Sequence, residues 1–246
     1  MKVSDNLYIV GGGDAGFNLS GPIDANVYAL STPTGIWLFD VGLDAGPLVI
    51  ENMRADGLDP SDITHIFVTH YHADHAGALG YFRETLGDVT VATARDVAGY
   101  ISTGDEVANA LGWARDLGYY PKEFRLSPCN VDLELEDGFQ VQSGDVTLTA
   151  VETPGHCAGH FCFHVSDGSA SYLFSGDQVF VGGKILLQNV PDANIQACAA
   201  SMNKLASLEF DALLPGHAGF SLSNGRRHVE AAALRFDRIG LPENLI

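Results

Sequence analysis

The segment Thr69-His70-Tyr71-His72-Ala73-Asp74-His75 constrains this chain more than any other. It follows an apolar run, residues 63–69, that reads as a buried strand, and it precedes residues 75–86, which fit a helix ending at Gly87. In an extended loop, side chains two positions apart point the same way, so His70 and His72 present two imidazoles to one point. Asp74 and His75 fall where the helix begins, turned toward a second point nearby. Imidazole nitrogen and carboxylate oxygen are the donors that zinc and similar first-row metals take. A chance cluster of surface histidines competes with this reading, but the composition of the chain yields such a match only on the order of once in a thousand.

Three further segments offer one donor each: Thr153-Pro154-Gly155-His156, Ser175-Gly176-Asp177 and Leu214-Pro215-Gly216-His217. Each places its histidine or aspartate just past an apolar run and beside glycine, which lets the backbone turn sharply. Strand ends are where α/β proteins place their sites. The remaining pattern predicts strands at 7–10, 26–30, 36–40, 89–92, 131–135, 139–142, 146–152, 161–165, 171–175 and 211–214, and helices at 47–57, 193–207 and 226–238. Strands and helices alternate over the whole length without a linker, which predicts one domain over 1–246. Residues 95–121 differ in character. Ala110, Trp113 and Leu117 share a helical face there, Val107, Leu111 and Ala114 lie beside it, and the stretch reads as an insertion or lid.

The 31 acidic residues against 13 basic give a net charge of −18. That argues against nucleic acid and against an anionic membrane surface as partners, since both need basic patches. Cys129, Cys157, Cys162 and Cys198 form no CxxC pair and read as reduced thiols of a cytoplasmic protein. No secretory leader or membrane-length apolar run is expected. Residues 11–16, GGGDAG, satisfy a dinucleotide fingerprint after a strand, but Gly21-Pro22 prevents the helix that motif requires, so a loop is expected.

The motifs HYHADH, PGH, SGD and PGH, in that order, together with Phe39-Asp40-Val41-Gly42, resemble those of the metallo-β-lactamase superfamily of hydrolases, over about residues 24 to 220. The resemblance implies an α/β (α+β) fold, a four-layer αββα sandwich with metals at one edge. It implies that His70, His72 and His156 bind one metal, that Asp74, His75 and His217 bind a second, and that Asp177 bridges both. Asp40 would orient a ligand, as carboxylates near imidazoles do. His160, four positions after His156, is similar to a second histidine of glyoxalase-II-like members and reads equally as an orienting or a packed residue. The implied cofactors are two divalent metal ions, zinc ahead of manganese or iron. A water held between them would lose its proton at neutral pH, and the hydroxide would attack a carbonyl or phosphoryl centre. Asp74 would be the catalytic carboxylate that orients or receives the proton while remaining a ligand.

Residues 177–183, DQVFVGG, resemble the GDxLFxGG run of hydroxyacylglutathione hydrolases. Yet His156 follows His75 by 81 positions, longer than in that group, and the helical C-terminal region that grips glutathione has no counterpart. The bond expected to be hydrolysed is therefore a lactone, carboxylic ester or thioester. A β-lactam or phosphoester on the same site is the alternative, and a mononuclear iron persulfide dioxygenase-like oxidoreductase is the alternative of another class. The apolar side chains of 97–120 read first as packing and second as pocket lining. Substrate-contact candidates are Tyr100, Trp113 and Tyr119, with Lys184 for a substrate carboxylate. The expected partner is a small-molecule substrate; a homodimer stays open.

Overall fold

The computed structural model describes residues 1–108 and 110–245. Position 109 of the expected 95–121 insertion, and position 246 of the expected 1–246 domain, lie outside the described residues. The chain divides into two compact units, Met1–Leu135 and Glu136–Ile246.

In the first unit, strands β1 (Leu7–Gly11), β2 (Val27–Thr32) and β3 (Gly35–Phe39) form an antiparallel meander. Helix α1 (Gly46–Ala55), with Pro47 in its first turn, leads to β4 (Ile63–Phe67). Helices α2 (Ala73–Ala76) and α3 (Leu79–Leu86) follow, then β5 (Thr90–Ala94), α4 (Arg95–Thr103), α5 (Leu111–Asp116) and β6 (Leu133–Leu135). Among the described residues the sheet order is β1-β2-β3-β4-β5-β6, with β3 to β6 running parallel. The stretch 95–132 is thus the crossover that joins two adjacent parallel strands, as parallel pairing requires.

In the second unit, strands β7 (Gln140–Ser143), β8 (Val146–Glu152), β9 (Phe161–Ser166) and β10 (Ser171–Gly176) pair antiparallel in turn. Helix α6 (Ile195–Ala206) precedes β11 (Ala212–Pro215), which joins β10 in parallel, and helix α7 (Arg226–Asp237) follows. Asn194 caps α6, its side chain accepting from Ala197 N–H at 2.9 Å. Met202 and Leu205 of α6 and Val229 and Ala232 of α7 pack with Val151, Cys162, Leu173 and Leu213 of the sheet. Burying each of the larger of these side chains stabilises the fold by about 1.5–3 kcal/mol.

The expected elements appear within a few residues, with two differences. The helix expected at 75–86 is broken after Ala76, because Ala78 N–H turns to the Gly42 carbonyl at 3.1 Å. The shared face of Ala110, Trp113 and Leu117 does not form, because α5 spans only Leu111–Asp116 and Ala110 has a left-handed φ of 55°. The early glycine loop folds back on itself: Leu19 N–H donates to the Gly12 carbonyl (2.7 Å) and Gly12 N–H to Ser20 Oγ (2.9 Å). Among the described residues no helix follows it before β2, and none is long and apolar enough to cross a membrane.

Candidate functional site

In the first unit, parallel pairing sets Phe39 opposite Phe67, so the residues that follow leave the sheet side by side. Asp40 is buried and has a left-handed φ of 58°, a conformation that costs of order 1–3 kcal/mol in a non-glycine residue. Its bonds hold it there. Oδ1 accepts from Thr69 N–H (2.8 Å), and Oδ2 from the Thr69 hydroxyl (2.9 Å) and from His75 Nδ1 (2.8 Å). A carboxylate only accepts, so His75 carries its hydrogen on Nδ1 and keeps a lone pair on Nε2. The Thr69 proton is committed to Asp40, so its oxygen accepts from His70 Nδ1 at 3.0 Å, which leaves the lone pair of His70 on Nε2.

That Nε2 lies 3.0 Å from Nδ1 of His72. Two nitrogens on one tetrahedral zinc stand about 3.3 Å apart, so the spacing suits a shared ion. His75 Nε2 lies 3.7 Å from Asp74 Oδ2, and the rings of His70 and His75 are 4.1 Å apart at their centroids. Asp74 Oδ1 accepts from the hydroxyl of Tyr120 at 2.7 Å. All four expected donors of this unit are buried together.

In the second unit, β10 and β11 do the corresponding work. Gly176 pairs with Pro215, and Gly216 N–H donates to the Gly176 carbonyl at 2.8 Å, which brings Asp177 and His217 out of adjacent strands. Asp177 Oδ2 lies 3.5 Å from His217 Nε2 and 3.7 Å from His156 Nε2. His156 Nδ1 donates to the Leu186 carbonyl (2.8 Å), so its Nε2 carries the lone pair. Two glycines make these turns possible. Gly155 has φ 147°, and a Cβ there would stand 2.5 Å from the backbone of Cys198; Gly176 has φ 47°.

Behind Asp177 runs a chain of bonds with one consistent direction. Asp177 N–H donates to His160 Nε2 (3.2 Å), His160 Nδ1 to Thr153 Oγ1 (3.0 Å), and the Thr153 hydroxyl to Cys162 Sγ (3.3 Å). His160 therefore supports the backbone of Asp177. Gln178 holds His156, its Oε1 accepting the His156 N–H at 3.3 Å.

Each unit thus gathers its share of the expected donors: His70, His72, Asp74 and His75 with Asp40 in the first, and His156, Asp177 and His217 with His160 in the second. Imidazole nitrogens beside carboxylate oxygens are the donor set of a first-row divalent metal, and the chain has His and Asp groups that could hold metal ions. Burial pushes the Cys157 thiol well up.

Lys184 meets Glu243 Oε1 at 2.6 Å. Tyr100 packs edge-on against Tyr71 (5.9 Å), and Trp113 lies beside Tyr119 (6.3 Å); all three candidates from the crossover are exposed. His65, His164 and His228, which match no motif, bond to Thr64 Oγ1, the Glu209 carbonyl and Gly182 N–H. Thr69, Tyr120, Gln178 and Leu186 are the supporting residues that sequence reasoning missed. Thr69 and Gln178 could have been found from their places beside His70 and Asp177.

The sequence profile of the Metallo-beta-lactamase superfamily matches residues 20–217, and the chain belongs to that family. It is 29% identical over 231 residues to the acyl-coenzyme A thioesterase MBLAC2 of Gallus gallus, covering 89% of this chain and 75% of that protein. It is 32% identical over 165 residues to a hydroxyacylglutathione hydrolase of Rhizobium etli, covering 67% of this chain but only about half, 51%, of that protein. A metallo-beta-lactamase from Cronobacter sakazakii shares the fold, with a TM-score of 0.74 at 23% identity over 97% of this chain and 95% of that one. The α/β fold of metallo-β-lactamase type expected from the motifs is therefore the fold of this chain, and its named homologues are hydrolases.

Proposed function

We propose that both units serve one metallo-hydrolase domain that cleaves acyl bonds: a thioester, carboxylic ester or lactone. His70, His72 and His156 would hold one divalent metal and Asp74, His75 and His217 a second, with Asp177 serving both. The observation that carries this reading is the lone-pair arrangement: Asp40, Thr69 and Leu186 take the Nδ1 hydrogens of His75, His70 and His156, so each Nε2 is ready to donate to a cation. Zinc, or manganese or iron, would supply hydroxide at neutral pH and polarise a carbonyl. The chain's own part would be to fix donors and handle the proton, with Asp74 as the carboxylate that would orient or receive it.

The acyl reading over a β-lactam or phosphoester is supported by the relative named an acyl-coenzyme A thioesterase, three quarters of which this chain covers. Exposed Tyr100, Trp113, Leu117 and Tyr119 on the crossover suit an acyl chain or aromatic group. The likeness to lactamases speaks for the fold alone. Four buried free thiols suit a reducing compartment, and we read the chain as cytoplasmic.

The test is a panel of acyl thioesters, lactones, simple esters, β-lactams and phosphoesters, run on protein of measured metal content. Two metals per chain and turnover of thioesters or lactones, abolished by chelation and by His72→Ala or Asp177→Ala, is the expected outcome. One iron per chain with oxygen uptake would point to the persulfide oxidoreductase instead. Unchanged turnover in a metal-verified His72→Ala protein overturns the assignment.

A further inference from the structure

We infer that Tyr120 is a positioning residue that fixes which oxygen of Asp74 serves the second metal, and that it ties the 95–132 crossover to that metal. The inference rests on the two-metal reading above.

The Tyr120 hydroxyl donates to Asp74 Oδ1 at 2.7 Å, while Oδ2 of the same carboxylate lies 3.7 Å from His75 Nε2. The phenol thus engages one oxygen on one side, and the other oxygen is turned toward the neighbouring imidazole. A carboxylate on a single bond from Cβ can rotate. A hydrogen bond to one oxygen selects one rotation, and such outer partners set ligand orientation and affinity.

Tyr120 is itself held by more than this bond. It packs against the cluster of Leu43, Ala73, Leu111 and Leu126, in which Ala73 is the residue before Asp74. Glu106 clamps the surrounding segment: Oε2 meets Arg115 Nη2 (2.6 Å) and Oε1 accepts from Leu126 N–H (3.1 Å). Arg115 Nη1 donates to the Phe124 carbonyl (2.6 Å). The phenol is therefore delivered by a braced loop, and whatever displaces the crossover displaces the partner of Asp74.

The experiment is a two-site titration of the metal-free full chain and its Tyr120→Phe variant with Zn²⁺ against a chromophoric chelator, alongside visible spectra of the Co²⁺-loaded proteins. We expect the second-metal affinity to fall about 10- to 100-fold, the first to hold within twofold, and the Co²⁺ bands of the weaker site to shift. With an acyl thioester, kcat should fall while KM holds. A merely structural tyrosine would lower thermal stability and leave the second-site affinity and spectrum unchanged, and that result overturns the proposal. A wild-type chain that takes up no second metal overturns the two-metal reading, and the role of Tyr120 with it. A wild type that binds two metals, matched by the variant at both sites, overturns the role of Tyr120 alone.

Discussion

His156 donates its Nδ1 hydrogen to the carbonyl of Leu186 at 2.8 Å, and residues 243–245 hold the residues on either side of Leu186. Ile185 N–H donates to the Glu243 carbonyl (3.0 Å), Leu245 N–H to the Ile185 carbonyl (2.9 Å), and the Asn244 side chain bonds both N–H and C=O of Leu187 at 3.0 Å. Asn244→Ala should therefore loosen the register around Leu186. We expect metal affinity at the His156 site to drop about tenfold, with a stability loss of only about 1–2 kcal/mol. Chelator competition together with a urea melt separates the two. Equal affinity in variant and wild type would remove this tail from the ligand support.

Asp40 combines a left-handed backbone with a carboxylate that accepts three bonds. Asparagine tolerates that backbone better than most residues but presents a weaker, half-donor amide. Asp40→Asn should fold nearly as stably as wild type and bind metal about 10- to 100-fold more weakly. Asp40→Ala loses the bonds and keeps the strain, so it should also cost about 3 kcal/mol of stability. Isothermal metal titration and thermal melts distinguish these outcomes; an Asp40→Asn protein with native affinity contradicts the role.

Burial pushes the thiols of Cys162 and Cys198 up to about 12. At pH 8.5 such a thiol is thiolate to roughly one part in three thousand. Native protein in iodoacetamide should keep both unmodified for hours, whereas four adducts per chain should form in denaturant, counted by intact mass. Fast labelling of either cysteine in native protein would contradict the burial.

The bond from Arg115 holds the Glu106 carboxyl below its ordinary value of 4.5; partial burial opposes it, and the Leu126 amide adds to it. A depressed folded-state value gives stability that is fully present above the unfolded value and lost as pH falls through the folded one. Hydrogen-exchange protection of residues 111–126, corrected for intrinsic rates, should therefore fall away below about pH 4.5. Glu106→Gln should remove that step and cost about 1 kcal/mol locally at neutral pH. Flat protection down to pH 3 would show the clamp to be idle.

The strands and the motif-bearing loops were legible because apolar runs and glycine punctuation are local properties. Residues 146–152 show this well, forming β8 over the predicted span. The break after Ala76 was not legible, since it depends on Ala78 reaching the Gly42 carbonyl, a contact between distant positions. In the crossover the pattern set Ala110, Trp113 and Leu117 on one helical face with Val107, Leu111 and Ala114 beside it; of these, Leu111 is the buried residue of α5, and Trp113 and Leu117 are exposed. A six-residue helix is placed by the loops at its ends rather than by its own periodicity. The supports of the candidate donors divide similarly. Asp40 was found by its motif, whereas Leu186 acts through a carbonyl that every residue possesses, and Tyr120 lies 46 positions from Asp74.

The crossover between β5 and β6 begins and ends on neighbouring strands, and its exit is fastened where the Asp132 carboxylate accepts from Val91 N–H at 2.8 Å and pairs with Arg83. Length is cheap in such a segment, because each doubling of a flexible loop adds only about 0.6 kcal/mol of closure cost. A change of length between Thr103 and Pro128 therefore leaves the β3–β4 register, with Phe39 opposite Phe67, untouched. The phenol of Tyr120 on Asp74 and the Glu106–Arg115 clamp are the points at which that freedom ends.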